Sequence, residues 1–134
     1  MPALQEAARR STVPVTLELE GVGRLDEDSE IAAYYCCLEA LQNVAKHGGS
    51  DASARLRLWR DQWAVRFSVT DDGVGFTPRR HAPGAGLTNM ADRLGAVGGS
   101  VSVRSAPGAG TTVEGRLALH EHDRSSDTAV DVRA

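Results

Sequence analysis

The sequence predicts an α/β domain, and three observations predict it. Residues 13–20, 54–60, 63–70, 100–105 and 111–119 carry strand signals, each apolar on alternate positions or bounded by turn residues. Two longer stretches, one ending at His47 and one opening at Gly84, repeat their apolar residues at helical spacing. Each of these helices has one apolar stripe, which is what covering a single face of a sheet requires.

Val-Pro-Val-Thr-Leu-Glu-Leu-Glu at 13–20 reads as a half-buried strand, and 21–24 as a turn. Asp26 and Asp28 are candidate N-caps, followed by an acidic first turn that suits the positive end of a helix. The helix is expected to bury Ile31, Tyr34, Tyr35, Leu38, Leu41 and Ala45, and to stop at Gly48 and Gly49 after Lys46 and His47. Residues 54–60 and 63–70 form an antiparallel hairpin split by Asp61 and Gln62. A glycine-rich stretch, Asp71-Asp72-Gly73-Val74-Gly75-Phe76, leads into a basic, proline-bounded loop at 77–83. The second helix opens on Gly84-Ala85-Gly86, presents Leu87, Met90, Ala91, Leu94 and Val97 on one face, and ends at Gly98 and Gly99. Two strands joined by the turn residues 106–110 follow. Residues 120–134 are charged, rich in small residues and aperiodic, the composition of a disordered tail. Residues 3–10 read as the end of a connecting helix, so the chain divides into a connecting segment at 1–11, a domain at 12–119 and a tail.

A length of 134 residues makes one domain, large enough to bury its own core. The net charge of −3 offers no basic field for nucleic acid, so any polyanion must be small and gripped locally. The only cysteines, Cys36 and Cys37, are adjacent, which is no disulfide framework and suits a reducing cytosol. With no apolar run near membrane-spanning length and no leader pattern, a cytoplasmic domain without membrane contact is expected.

Three groups of residues could carry chemistry. On the first helix Glu39, Asn43 and Lys46 fall within an arc of roughly 60°. A carboxylate can polarise a water, an amide oxygen can ligate a hard cation, and an ammonium can meet a phosphate. Taken alone, such an edge is more often a solvated helix face. The Asp-Asp-Gly-Val-Gly stretch after a strand combines a carboxylate, able to accept from an exocyclic amine, with glycines that leave room beside the backbone. Taken alone it is more often an ordinary Asp-Gly turn. Gly84-Ala85-Gly86 at a helix start leaves backbone N–H groups for an anion, or is a flexible loop that happens to precede a helix.

In this order and spacing, and with Gly110-Thr111 opening the last strand, the set resembles the GHKL ATPase superfamily of gyrases, chaperones, histidine kinases and mismatch-repair proteins. Residues 38–47 look like the N box of the NarL/DesK-type sensor histidine kinases, residues 71–76 like their G1 box, and residues 84–90 with Arg93 like their G2 box. The resemblance covers residues 12–119 and implies a two-layer α/β sandwich of the Bergerat type, a mixed sheet with helices on one face. It implies ATP and Mg²⁺ as ligands. Carried over position by position, Asp71 binds the adenine amino group, Gly73 and Gly75 shape the ring pocket, and Thr111 reaches the adenine side through its hydroxyl. Asn43 ligates magnesium, and Glu39 serves as the catalytic polarising base or holds that site together. Lys46 and His47 face the phosphates. Gly84, Gly86 and Leu87 belong to the phosphate cradle under a lid formed by residues 77–85.

Asp72 departs from the asparagine common in the family and adds a negative charge. No His-Asp or His-Glu pair precedes the N box, and His47, His81, His120 and His122 lie in the nucleotide box, lid and tail. The chain is therefore read as a fragment, a monomer that supplies the ATP-binding part of a homodimeric kinase, whose membrane anchor, if it has one, lies elsewhere in the parent protein. Its partners would be the kinase's own phosphoacceptor and dimerisation segment and, through the full kinase, a response regulator. Two rivals share the fold: a freestanding serine kinase of the anti-sigma-factor type, and a degenerate interaction module. The close N-box match argues against the first, and the intact set of motif residues against the second. A metal site at Cys36, Cys37 and His47 fails on spacing. Trp59 and Trp63 read as sheet packing.

Overall fold

Alternation along each strand and the lengths of the connections fix the sheet. The structure is a computed structural model and describes residues 2–23, 25–49, 51–75 and 85–118. Its elements run α1 (Pro2–Arg10), β1 (Val15–Leu19), α2 (Glu27–His47), β2 (Ala54–Arg60), β3 (Ala64–Asp71), α3 (Ala85–Gly95), β4 (Gly99–Ser105) and β5 (Thr111–Ala118). The five strands form one sheet in the order β1-β2-β3-β5-β4. β1 and β2 are parallel, joined by a crossover through α2, and the other pairs are antiparallel, so the sheet is mixed.

Leu56, Leu58, Val65, Phe67, Val69, Val113 and Leu117 are buried on one face, which α2 and α3 cover. The opposite face carries Arg55, Arg57, Thr70, Ser102 and Arg104 into solvent. This is the two-layer sandwich with single-faced cover that the sequence implies. β1 is shorter than its alternating pattern. Pro14 has no N–H for the ladder, although its carbonyl still accepts from the Ala54 N–H at 2.9 Å.

α2 begins where Asp26, in an extended conformation, accepts a hydrogen bond from the Ser29 N–H at 3.2 Å. It ends as the Gly48 N–H donates to the Val44 carbonyl at 2.8 Å, with Gly49 at φ 97° turning the chain away. Its buried stripe is not the expected one. Ala32, Ala33, Cys36, Cys37, Ala40, Leu41 and Val44 face the core, whereas Ile31 is 50% exposed, Ala45 is exposed, and Tyr34, Tyr35 and Leu38 are half-buried. The sheet presents its bulk here through Phe67, Leu56 and Leu58, so the helix lies close and contributes small side chains. α1 packs on α2 and β1 through Leu4 and Ala7, both buried.

α3 buries Met90 and Leu94 but leaves Ala91 exposed, and it ends at Gly95, three residues before the expected stop. Its last turns run on through hydrogen bonds from Ala96, Val97 and Gly98, and Gly99 is already the first residue of β4. Val97, expected on the helix, is packed from this turn. No helix among the described residues is long and apolar enough to cross a membrane.

Candidate functional site

Two successive rungs at the middle of the helix-covered face are wholly apolar. Leu19, Leu58, Phe67, Gly115 and Val101 lie in register across the five strands, and so do Leu17, Leu56, Val69, Val113 and Val103. The final rung is Val15, Ala54, Asp71, Thr111 and Ser105. The alternation that points Phe67 and Val69 into the core points Asp71 there too, so a carboxylate ends a buried strand. Asp71 is 9% exposed, and Ser29 is the other buried polar side chain among the described residues.

Burial pushes the Asp71 carboxyl above its ordinary range, the N–H groups of Gly73 and Thr111 pull it back down, and the neighbouring Asp72 charge pushes it up again. The net direction is upward. The Gly73 N–H lies 2.8 Å from Oδ1, an Asx turn that fixes the carboxylate at the mouth of the loop. Thr111 is held in turn, its Oγ1 2.8 Å from the Oγ of Ser105.

The glycines after Asp71 are explained by the protein's own backbone more than by room for a ring. A Cβ at Gly73 would stand 2.3 Å from the Gly48 carbonyl oxygen, and one at Gly75 would stand 2.0 Å from that of Ala106. Gly75 also has φ 68°, the left-handed region that favours glycine. The loop therefore threads between the C-terminal end of α2 and the β4–β5 turn. It is pinned on one side by the Val74 N–H donating to Gly48 O at 3.0 Å, and on the other by the Gly108 N–H donating to Val74 O at 2.7 Å. Asp72, the departure from the family pattern, is spent on scaffolding. Its carboxylate accepts from the Ser53 N–H at 2.7 Å and from the Ser53 hydroxyl at 3.0 Å, which pulls its pKa down.

On α2, Glu39 and Asn43 are half-buried one turn apart, while Lys46 and His47 are exposed in the last turn. The corrected stripe centres near 190° with Ile31 as zero, so Glu39 and Asn43, at roughly 80° and 120°, flank it directly. α2 packs against β3, and its end meets the Asp71 loop at Gly48. The helix that carries Glu39 and Asn43 is thus tied at its C-terminal end to the loop that follows Asp71. Arg93 of α3 stacks on the Tyr35 ring at 4.1 Å. The Cys36 thiol, pushed up to about 12 chiefly by burial, is lowered by Arg93 and raised by Glu39, so both charges lie near it. Cys37 is pushed up by burial as well. Both thiols stay protonated and pack as small apolar groups.

Gly86 and Leu87 lie in the first turn of α3. Of the lid expected at 77–85, residues 77–84 with His81 and Gly84 lie outside the described residues, as do Phe76 and the tail with His120 and His122, while Ala85 is the first residue of α3. The sequence reading passed over Ser53 and Ser105. Ser105 was within reach of it, because a five-residue turn at 106–110 sets residues 105 and 111 opposite each other.

Residues 28–121 match the family model of the histidine kinase-, DNA gyrase B- and HSP90-like ATPases. The chain is 32% identical over 89 residues to the signal transduction histidine-protein kinase/phosphatase UhpB of Salmonella typhimurium, covering 66% of this chain and 18% of that protein. It is 31% identical over 111 residues to the sensor histidine kinase MctS of Rhizobium johnstonii, covering 79% and 24% respectively. The chain thus spans less than a third of either relative. Among solved structures, the histidine kinase domain of the Erythrobacter litoralis blue-light activated kinase superposes with a TM-score of 0.71 at 18% identity, covering 93% of this chain and 58% of that one. The mycobacterial sensor histidine kinase MprB superposes with a TM-score of 0.64 at 20% identity, covering 89% and 92%. These two likenesses are of fold. With a family model matched over most of its length and two sensor kinases above 30% identity, the chain belongs to the histidine kinase-, DNA gyrase B- and HSP90-like ATPases, as an ATP-binding domain of the histidine kinase kind.

Proposed function

We propose that this domain binds Mg-ATP with its adenine amino group on Asp71 and holds the γ-phosphate for transfer to a histidine of a partner segment in the parent sensor kinase. One observation carries the reading: a carboxylate, 9% exposed, ends a core-facing strand and is fixed by the N–H groups of Gly73 and Thr111. A buried carboxylate with no cationic partner among the described residues is costly to keep. A ligand amine donating to it gives it a use.

Asn43 and Glu39 are the hard oxygen donors on the α2 edge that leads to this rung. Among the described residues no three His, Cys, Asp or Glu side chains cluster into a cage. That donor set suits a magnesium ion held by one amide oxygen, with phosphate and water completing its shell. Bound there, the ion would neutralise charge on the phosphates. Asn43 orients that end of the nucleotide, and Glu39 accepts a proton or a hydrogen bond one turn away. Lys46 and His47, exposed on the same helix end, meet the phosphate tail, and the backbone N–H groups at the start of α3, where Gly86 lies, are further donors for it. The protein's contribution is positioning and charge, with no covalent intermediate of its own.

The relatives named above are sensor histidine kinases, which favours histidine over serine as acceptor. The test is transfer in trans. With γ-labelled ATP, magnesium and a separately prepared phosphoacceptor segment of the parent kinase, the chain should put acid-labile, base-stable label on that segment. Asn43→Ala should abolish the transfer. Label on serine, or transfer unaffected by Asn43→Ala, would contradict the reading.

A further inference from the structure

The last rung of the sheet holds a hydroxyl pair whose direction can be read from its ends. The Oγ of Ser105 lies 3.0 Å from the Gly110 carbonyl oxygen and 2.8 Å from the Oγ1 of Thr111. A carbonyl oxygen only accepts, so the Ser105 proton goes to Gly110. In the hydroxyl pair the donor is then Thr111, and what it has left to offer is lone pairs. Its side chain shares a face with Asp71, its direct partner across the β3–β5 ladder. The Asp71 carboxylate already takes the Gly73 and Thr111 N–H groups, so these two backbone donors are not free for a ligand. Both side chains offered to a ligand here are acceptors.

We propose that Ser105 is a specificity-determining residue: by taking the proton of Thr111 it makes this corner accept only a nucleobase edge that brings N–H donors. The inference rests on the nucleotide-site reading above and deepens it. A 6-aminopurine presents two N–H groups to the Asp71–Thr111 corner. A 6-ketopurine sets a carbonyl oxygen against two acceptors where the amino group stood, and its ring N1–H is the one donor left on that edge, the kind of mismatch that discriminates between otherwise similar ligands. Ser105 touches neither ring in this arrangement and acts through Thr111. Its place on β4 is fixed by the ladder, which sets it opposite Thr111.

The experiment compares ADP with IDP, in which hypoxanthine replaces adenine and a 6-keto oxygen replaces the 6-amino group, by calorimetric titration of the full chain. The unmutated chain should prefer ADP. In Ser105→Ala the Thr111 hydroxyl can turn its proton towards the base, and the ADP-over-IDP preference should fall by roughly tenfold, one hydrogen bond's worth. Ser105→Cys, whose thiol is a poor acceptor at nearly conserved volume, should move the preference the same way and serves if the alanine variant folds poorly. Ser105→Thr, which keeps the hydroxyl, should restore it. In a Thr111→Ala background, Ser105→Ala should change nothing further. A merely structural role would weaken both nucleotides alike. ADP binding with an unchanged preference in Ser105→Ala and Ser105→Cys would overturn the inference and leave the nucleotide site standing. Absence of ADP binding by the unmutated chain would overturn the site itself and the inference with it.

Discussion

Asp71 is held in a state that costs stability, and the proposed nucleotide contact gives that state a use. Its carboxyl is pushed upward chiefly by burial, so the folded chain binds that proton more tightly than the unfolded chain does. The sign follows: Asp71 favours folding most below the ordinary carboxylate range, and that contribution is lost as pH rises through its raised pKa. At neutral pH the ionised group is a burden, which a neutral isostere removes. Asp71→Asn should therefore melt no lower than the unmutated chain at pH 7, and the gap should shift in favour of the unmutated chain as the solution is acidified. Thermal melts across pH read this directly, and a variant melting well below the unmutated chain at neutral pH would contradict it. The same substitution should weaken ADP binding by roughly 10- to 100-fold, the value of a hydrogen bond to a charged group. The carboxylate itself was legible in the sequence, because a strand running into Asp-x-Gly-x-Gly is a local pattern. The tie from Asp72 to Ser53, at 2.7 and 3.0 Å, was not. It joins residues 19 apart in the chain, and nothing local in either position announces the other.

At the scale of elements, α2 carries both the scaffold and half of the site. Its start depends on Asp26, and Asp26→Ala should cost about 1 kcal/mol of stability in urea denaturation, as the loss of an N-cap does. Its end depends on a backbone-to-backbone fit with the loop after β3. Gly75→Ala would force a side chain into a left-handed conformation and against the Ala106 carbonyl 2.0 Å away. The strain alone is worth about 1–2 kcal/mol. We expect a lower melting temperature and the loss of ADP binding together, since the same loop positions Asp71; unimpaired binding would refute the coupling. The caps and stops of α2 were readable because they are chemical and local. Its buried face was not, and the reason lies outside the helix. Hydrophobicity ranks Ile31, Tyr34 and Leu38 above alanine and cysteine, yet the space under α2 is already occupied by Phe67, Leu56 and Leu58. Only small side chains fit between, so steric complementarity overrode hydrophobic rank.

Across the whole molecule, one sheet face is a gradient from packed core to polar site. At its centre the Phe67 ring lies over Gly115, where an added Cβ would stand 2.0 Å from the ring, and Phe67 is fully buried. Gly115→Ala should destabilise the domain by about 1–3 kcal/mol through overpacking, measurable by chemical denaturation, while the Asp71 rung four residues along β3 keeps its ligand contacts. The mixed sheet and its single-sided cover followed from the motif resemblance and from one-striped helices, whereas the order of the strands did not. The register that puts Asp71, Thr111 and Ser105 on one rung needed the turns counted in three dimensions. On the function proposed above, this rung receives the base of an adenine nucleotide. Calorimetric titration of the chain with ADP, with and without magnesium and alongside Asp71→Asn, tests it most directly. Micromolar-class binding (about −8 kcal/mol at 1 μM) that magnesium strengthens and the substitution weakens by roughly 10- to 100-fold is the predicted result. No binding by the unmutated chain, or equal binding by Asp71→Asn, would contradict it.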